Sequence, residues 1–260
     1  MNWEPIADFV RTEDPAFAAS LRGVPKEDVE RLEHERAIQL PRAYRGFLFT
    51  MGEDSDGFYL FGPHRKQRLA DLVASGPPRS YPGKRYFKIG AAADPFEISP
   101  PDYFLDLSGS DGVDAPIVTF QTDEEMAIED FRTEYVLDTS FTFGEQAASR
   151  IFTFLVLDRA AEHSRVLIGG MEAREREQQY QDVIAVFKTM NFRPVLASNE
   201  RVSCFRRDSM AALVNVRDDL RCVTITLGGD DSQRMKVLVD QLALRFPDAA
   251  VRGTGGARGR

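Results

Sequence analysis

The sequence predicts an α+β protein of 260 residues. Three observations carry that reading. The first 55 residues show helical apolar periods; short apolar runs between turn formers follow from Gly57 to Leu137; and helix and strand patterns mix again after Ser164.

Trp3, Ile6, Phe9 and Val10 share one helical face, with Pro5 tolerable in the first turn. A second helix starts near Pro25, turns Val29 and Leu32 inward and sets Glu27, Asp28 and Glu30 near its positive end. A third begins at Pro41, where Tyr44, Phe47, Leu48 and Met51 fall at i, i+3, i+4 and i+7 and Gly52 serves as C-cap. Strands are expected at 57–61, 86–89, 103–107, 116–120 and 134–137, punctuated by Gly and Pro clusters in the manner of an antiparallel meander. Residues 143–161 return to a helical period, with Ala147, Ile151 and Leu155 in one row and Thr142 or Ser140 as cap.

A second unit begins near Ser164. It opens with a strand at 166–168, then Gly169 and Gly170, then a helix over 172–190 burying Tyr180, Val183, Ile184 and Phe187. Strands are expected at 194–197, 202–205, 211–216 and 222–227, with Asp218 and Asp219 turning the last hairpin. A closing helix over 231–244 presents Met235, Leu238, Val239, Leu242 and Ala243. The expected organisation is a first domain at 1–162, a smaller α+β domain at 163–250, and a disordered Gly/Arg-rich tail at 251–260. The order strand, Gly-Gly, helix occurs twice, but two short matches do not establish a duplication.

Composition excludes several classes. No run nears the roughly 18 apolar residues of a membrane helix, and Glu4 and Asp8 interrupt the opening stretch, so it does not read as a secretory signal. Two cysteines fit a reducing cytosol rather than a disulfide framework. A net charge of −8 argues against nucleic acid or an anionic membrane as main partner. That charge is local. Residues 89–131 hold eleven acids and no Lys or Arg, whereas 1–88 hold 14 basic and 13 acidic groups and 132–260 hold 19 and 17. Such a block is a solvated face or a docking surface for something basic.

Catalytic patterns are missing. There is no G-x-x-x-x-G-K-[ST] loop and no G-x-S-x-G elbow, and His34, His64 and His163 lie outside any motif. Asp106-x-Ser108-x-Ser110 starts like a calcium loop, but Asp111 stands where Gly is needed and Ile117 where the bidentate Glu is needed. Cys204 and Cys222 read as buried structural thiols. No cofactor or metal is implied, and no catalysis.

One set of residues carries a resemblance. Leu32-Glu33, Leu40-Pro41, Tyr44-Arg45-x-Phe47-Leu48 and the following Gly52, with Tyr103-Phe-Leu-Asp106-Leu and Pro116-Ile-Val further on, resemble the SUKH superfamily, typified by fungal cell-wall regulators of the Smi/Knr type. The likeness covers about residues 18–162; the family's Asn-Gly is Met51-Gly52 here, and 164–250 has no counterpart in it. It implies a fold of N-terminal helices, a meander sheet and a closing helix. It also implies a binding role, since bacterial members look like immunity proteins that cover a toxin, often a nuclease. The expectation is a cytoplasmic, non-catalytic module docking a basic toxin domain. The partner-binding residues would be Asp111, Asp114, Asp123, Glu124, Glu125, Glu129 and Asp130, with Phe96 and Tyr103, and Phe131 nearby, as apolar anchors. A Smi/Knr-type regulatory scaffold and an enzyme or nucleotide-binding protein with its site in the C-terminal unit are the alternatives.

Overall fold

The computed structural model describes residues 1–63, 65–74, 81–93, 102–120, 128, 131–169, 172–197, 201–217 and 221–254. The chain is α+β and divides into two compact units, Met1–Ala147 and Ala148–Arg260.

The first unit opens with α1 (Glu4–Glu13), α2 (Pro15–Ser20), α3 (Lys26–Arg36) and α4 (Arg42–Met51). The short α2 is an addition to the expected helices; Asp14 starts it by accepting a hydrogen bond from the Phe17 amide at 2.9 Å. Between α3 and α4 the Glu33 carboxylate accepts from the Leu40 amide at 2.7 Å. That bond closes the turn after Ala37, which takes a left-handed C-cap conformation, so Leu-Glu and Leu-Pro stand where they do for a structural reason. Gly52 is the C-cap of α4 as expected, in right-handed conformation at φ −73°, its amide donating to the Leu48 carbonyl.

The sheet is an antiparallel meander in the order β1 (Arg65–Lys66), β2 (Tyr86–Ala92), β3 (Tyr103–Asp106), β4 (Pro116–Phe120) and β5 (Val136–Thr142), with α5 (Leu69–Val73) after β1. Segment 57–61, expected as a strand, is irregular. The buried Gln67 amide takes a strand's place there, accepting from the Leu60 amide at 2.7 Å and donating to the Phe58 carbonyl at 2.6 Å. Phe58 and Leu60 stay buried although the segment is not a strand. One sheet face meets α4, with Tyr44 5.8 Å from Phe87 and 5.0 Å from Phe143 by ring centroids. Trp3 adds an edge-on contact to Phe47. Gly46 is required here, because a Cβ would lie 2.5 Å from Trp3.

α6 (Phe143–Phe152) begins where Thr142 and Glu145 exchange side-chain-to-backbone bonds, and it ends in a π-helical turn at Thr153–Leu157 instead of running to 161. The unit boundary therefore falls inside α6, earlier than the expected 162, because that turn packs on the second sheet.

The second unit is a six-stranded antiparallel sheet, ordered β11-β6-β10-β9-β8-β7. Its elements are β6 (Glu162–Gly169), α7 (Ala173–Thr189), β7 (Arg193–Ala197), β8 (Val202–Arg207), β9 (Met210–Arg217), β10 (Cys222–Gly229), α8 (Ser232–Arg245) and β11 (Ala250–Thr254). Glu172 and Glu175 form a capping box on α7, and Asp231 caps α8 through the Gln233 and Arg234 amides. Both helices pack on one face, where Tyr180, Val183, Phe187, Leu238 and Leu242 meet Val166, Val214, Val223 and Ile225. The expected disordered tail is corrected over 251–254: this segment is β11, paired with β6 from Ala250↔Leu167 to Thr254↔His163. Extended backbone beside an open strand edge gains a ladder of hydrogen bonds that composition does not announce. Residues 255–260 and the expected turn at 218–219 lie outside the described residues.

Candidate partner-binding surface

Of the nine residues singled out in the acidic block, Asp111, Asp114 and Tyr103 are described, and Phe96, Asp123, Glu124, Glu125, Glu129 and Asp130 lie outside the described residues. The described ones do not form one exposed plate. Asp114 is a correction: it is only 5% exposed. Its carboxylate accepts from the Met1 ammonium at 2.6 Å, the Ala115 amide at 2.9 Å and the Gly144 amide at 3.1 Å. A buried carboxylate persists only when paired in this way, and so paired it is withdrawn from any partner. Tyr103 is half-buried and stacked on Phe61 at 4.2 Å, with the Arg65 guanidinium 5.9 Å from its ring. Asp111 is exposed, yet its carboxylate accepts from the Val113 and Asp114 amides at 2.8 Å each. These bonds hold it below the usual carboxylate range.

Two further acids of the block are neutralised by cations lying just before it in sequence. Lys88 reaches Asp102 at 2.5 Å, and Arg85 holds Asp106 through two bonds of 3.0 and 3.2 Å. Burial works to raise the Asp106 carboxyl, but bonds from Arg85 and from Ser108 outweigh it and hold the group low. The Ser108 amide and hydroxyl on Asp106 are what the calcium-loop spacing becomes in the fold.

These pairs frame an aromatic cluster on the sheet face away from α4. Tyr86, Phe104, Val118 and Phe120 are buried there, with Tyr81, Phe131 and Val136 packed against them. Arg85 lies 4.8 Å over the Tyr86 ring and Lys88 5.7 Å over Phe104, so each cation serves an acid and a ring at once. Desolvation pushes the Tyr81 hydroxyl up to about 12. Phe131 is thus part of this cluster. The sequence signal for the pairing was limited to order: Arg85, just before β2, and Lys88, within it, are the last cations before the acidic run.

The strand ends divide the block in two. The registers Tyr103↔Thr119 and Phe120↔Val136 set the end of β2, the start of β3, the end of β4 and the start of β5 at one end of the sheet. Asp106, Asp111 and Asp114, each engaged by the fold, belong to the opposite end, where β3 connects to β4. The connections leaving the first end contain Asp94 and Glu97 in one case, and Asp123, Glu124, Glu125, Glu129 and Asp130 in the other.

Of the two Gly-Gly pairs, Gly228 and Gly229 are described in full. A Cβ on Gly228 would meet Ala160 at 3.0 Å and one on Gly229 would meet Met235 at 3.0 Å, so both glycines serve close packing. Cys204 and Cys222 are buried free thiols, and burial raises the Cys204 thiol. Among the described residues no group of three or more His, Cys, Asp or Glu is arranged to hold a metal ion, and no helix is long and apolar enough to cross a membrane. No family model, curated protein or solved structure matches the chain.

Proposed function

We propose that this chain is a non-catalytic binding protein of immunity type, which neutralises a basic, nuclease-type toxin domain by covering it with the acid-rich end of the first unit's sheet. The observation that carries the reading is the division just described. At one end Asp106 and Asp114 are consumed by the fold, while seven others sit in two connections whose strand ends lie together, in a stretch without Lys or Arg. An enzyme that grips a polyanion carries a basic surface, and concentrated carboxylates steer it and speed encounter. The SUKH resemblance of residues 18–162 supports the same reading. Asp114 leaves the set of contact residues and Tyr103 is a supporting ring; Asp111 stays at the margin.

The test is co-expression with basic toxin domains, scored for survival and followed by binding titrations across salt. Wild type rescues growth, and the triple reversal Asp123→Lys, Glu124→Lys, Glu125→Lys weakens binding at least ~10-fold at low salt and flattens the salt dependence. Asp111→Lys has a smaller effect. Binding and rescue unchanged by the triple reversal would discard the assignment.

A further inference from the structure

The second unit's sheet has two unlike faces. One is the apolar face under α7 and α8. Followed through the registers, the strand positions of the other face carry His163, Arg165, Arg193, Arg206, Arg217 and Arg252, and no Asp or Glu. Residues 148–260 hold 18 basic against 14 acidic side chains, so the unit is positive within a negative protein.

Two of these arginines stand out. Arg165 on β6 and Arg252 on β11 are directly opposite partners in an antiparallel ladder. Both are exposed, and neither side chain has an ion pair or hydrogen bond to a described residue. Like charges directly opposite across two strands destabilise a sheet. On the other side of Arg165, β10 brings Thr226 into the same row.

We propose that Arg165 and Arg252, with the Thr226 hydroxyl, form a binding site for a dianionic phosphate monoester. Two arginines directly opposite on neighbouring strands present two forks and two positive charges. A carboxylate has one charge and two oxygens and satisfies one fork. A phosphate monoester carries about −1.5 to −2 charge near neutral pH and three terminal oxygens, enough for both forks. A nucleic-acid backbone offers one charge per phosphate, and the strand positions of this face supply no Phe, Tyr or Trp to stack a base. The ligand's charge removes the repulsion between the arginines, so occupancy and stability are linked.

The experiment uses the whole chain, with inorganic phosphate and a phosphoserine peptide as probes for a free and a protein-borne source. Wild type gains melting temperature saturably with either probe relative to chloride at equal ionic strength. The double variant Arg165→Gln, Arg252→Gln melts higher than wild type without phosphate, and its saturable gain is lost, with affinity falling at least tenfold. Arg165→Lys with Arg252→Lys keeps the charge, loses the forks and binds several-fold more weakly than wild type. A phosphate response by the glutamine variant equal to that of wild type overturns the proposal. So does a glutamate peptide bound as tightly as its phosphoserine counterpart, or an unphosphorylated single-stranded oligonucleotide bound more tightly than either probe.

Discussion

The two units solve the same packing problem with different materials. The first joins short strands of two to seven residues to long connections and fills the irregular space with rings: Trp3, Tyr44, Phe47 and Phe143 on the helical side, Tyr86, Phe104 and Phe120 on the other. The second has strands of five to eight residues in regular register and builds its core mainly from Val, Ile and Leu under two helices. Rings bury much area from few positions, which suits a small and interrupted sheet; β-branched residues suit a long pleated one. Charge differs too, with 15 basic against 27 acidic side chains in residues 1–147 and the reverse balance after. The first unit ties several acids into its framework, and the second leaves opposed arginines open. Composition averaged over the whole chain shows neither.

If acids are structural in the first unit, removing the most buried one should do the most damage. Asp114→Ala strips the partner from a buried ammonium and two amides, and it should cost about 3–5 kcal/mol in urea unfolding. Asp114→Asn, which keeps an acceptor for the amides, should cost less. A loss below about 1 kcal/mol would mean that the pair is ornamental.

Asp106 is the next largest effect and adds pH dependence. Its carboxyl is held low in the folded state, so the unfolded chain takes up the proton first as pH falls. Its stabilisation is full above about pH 4, the ordinary aspartate range, and is lost as pH drops through the folded value. Asp106→Asn should remove about 1–2 kcal/mol at neutral pH, discounted because Arg85 is 41% exposed, and should flatten acid denaturation below about pH 4. An unchanged acid limb would assign acid sensitivity elsewhere. The smallest effect falls in the second unit. Asp231→Ala removes the cap on α8 and should lower stability by about 1 kcal/mol without altering the acid limb attributed to Asp106.

Much of the fold was legible. The periods of 44–51, 180–187 and 235–242 reported buried helix faces because one strip of each helix must face apolar neighbours, and β4 came out at 116–120 as expected. Segment 57–61 misled because apolar alternation reports burial, and here a glutamine side chain rather than a strand satisfies the backbone. The acidic block misled in part for a related reason: a run without cations says nothing about cations that arrive from the neighbouring strand or from the chain's first residue.

What the sequence by itself determined is the α+β class, most of the elements and the place where negative charge concentrates, since these follow from local periodicity and composition. Only the tertiary structure decided that Asp102, Asp106 and Asp114 are spoken for, and that Arg165 faces Arg252 across a ladder. Partners are brought together by the fold from positions as far as 113 residues apart, and Coulomb forces act on distance in space, not along the chain.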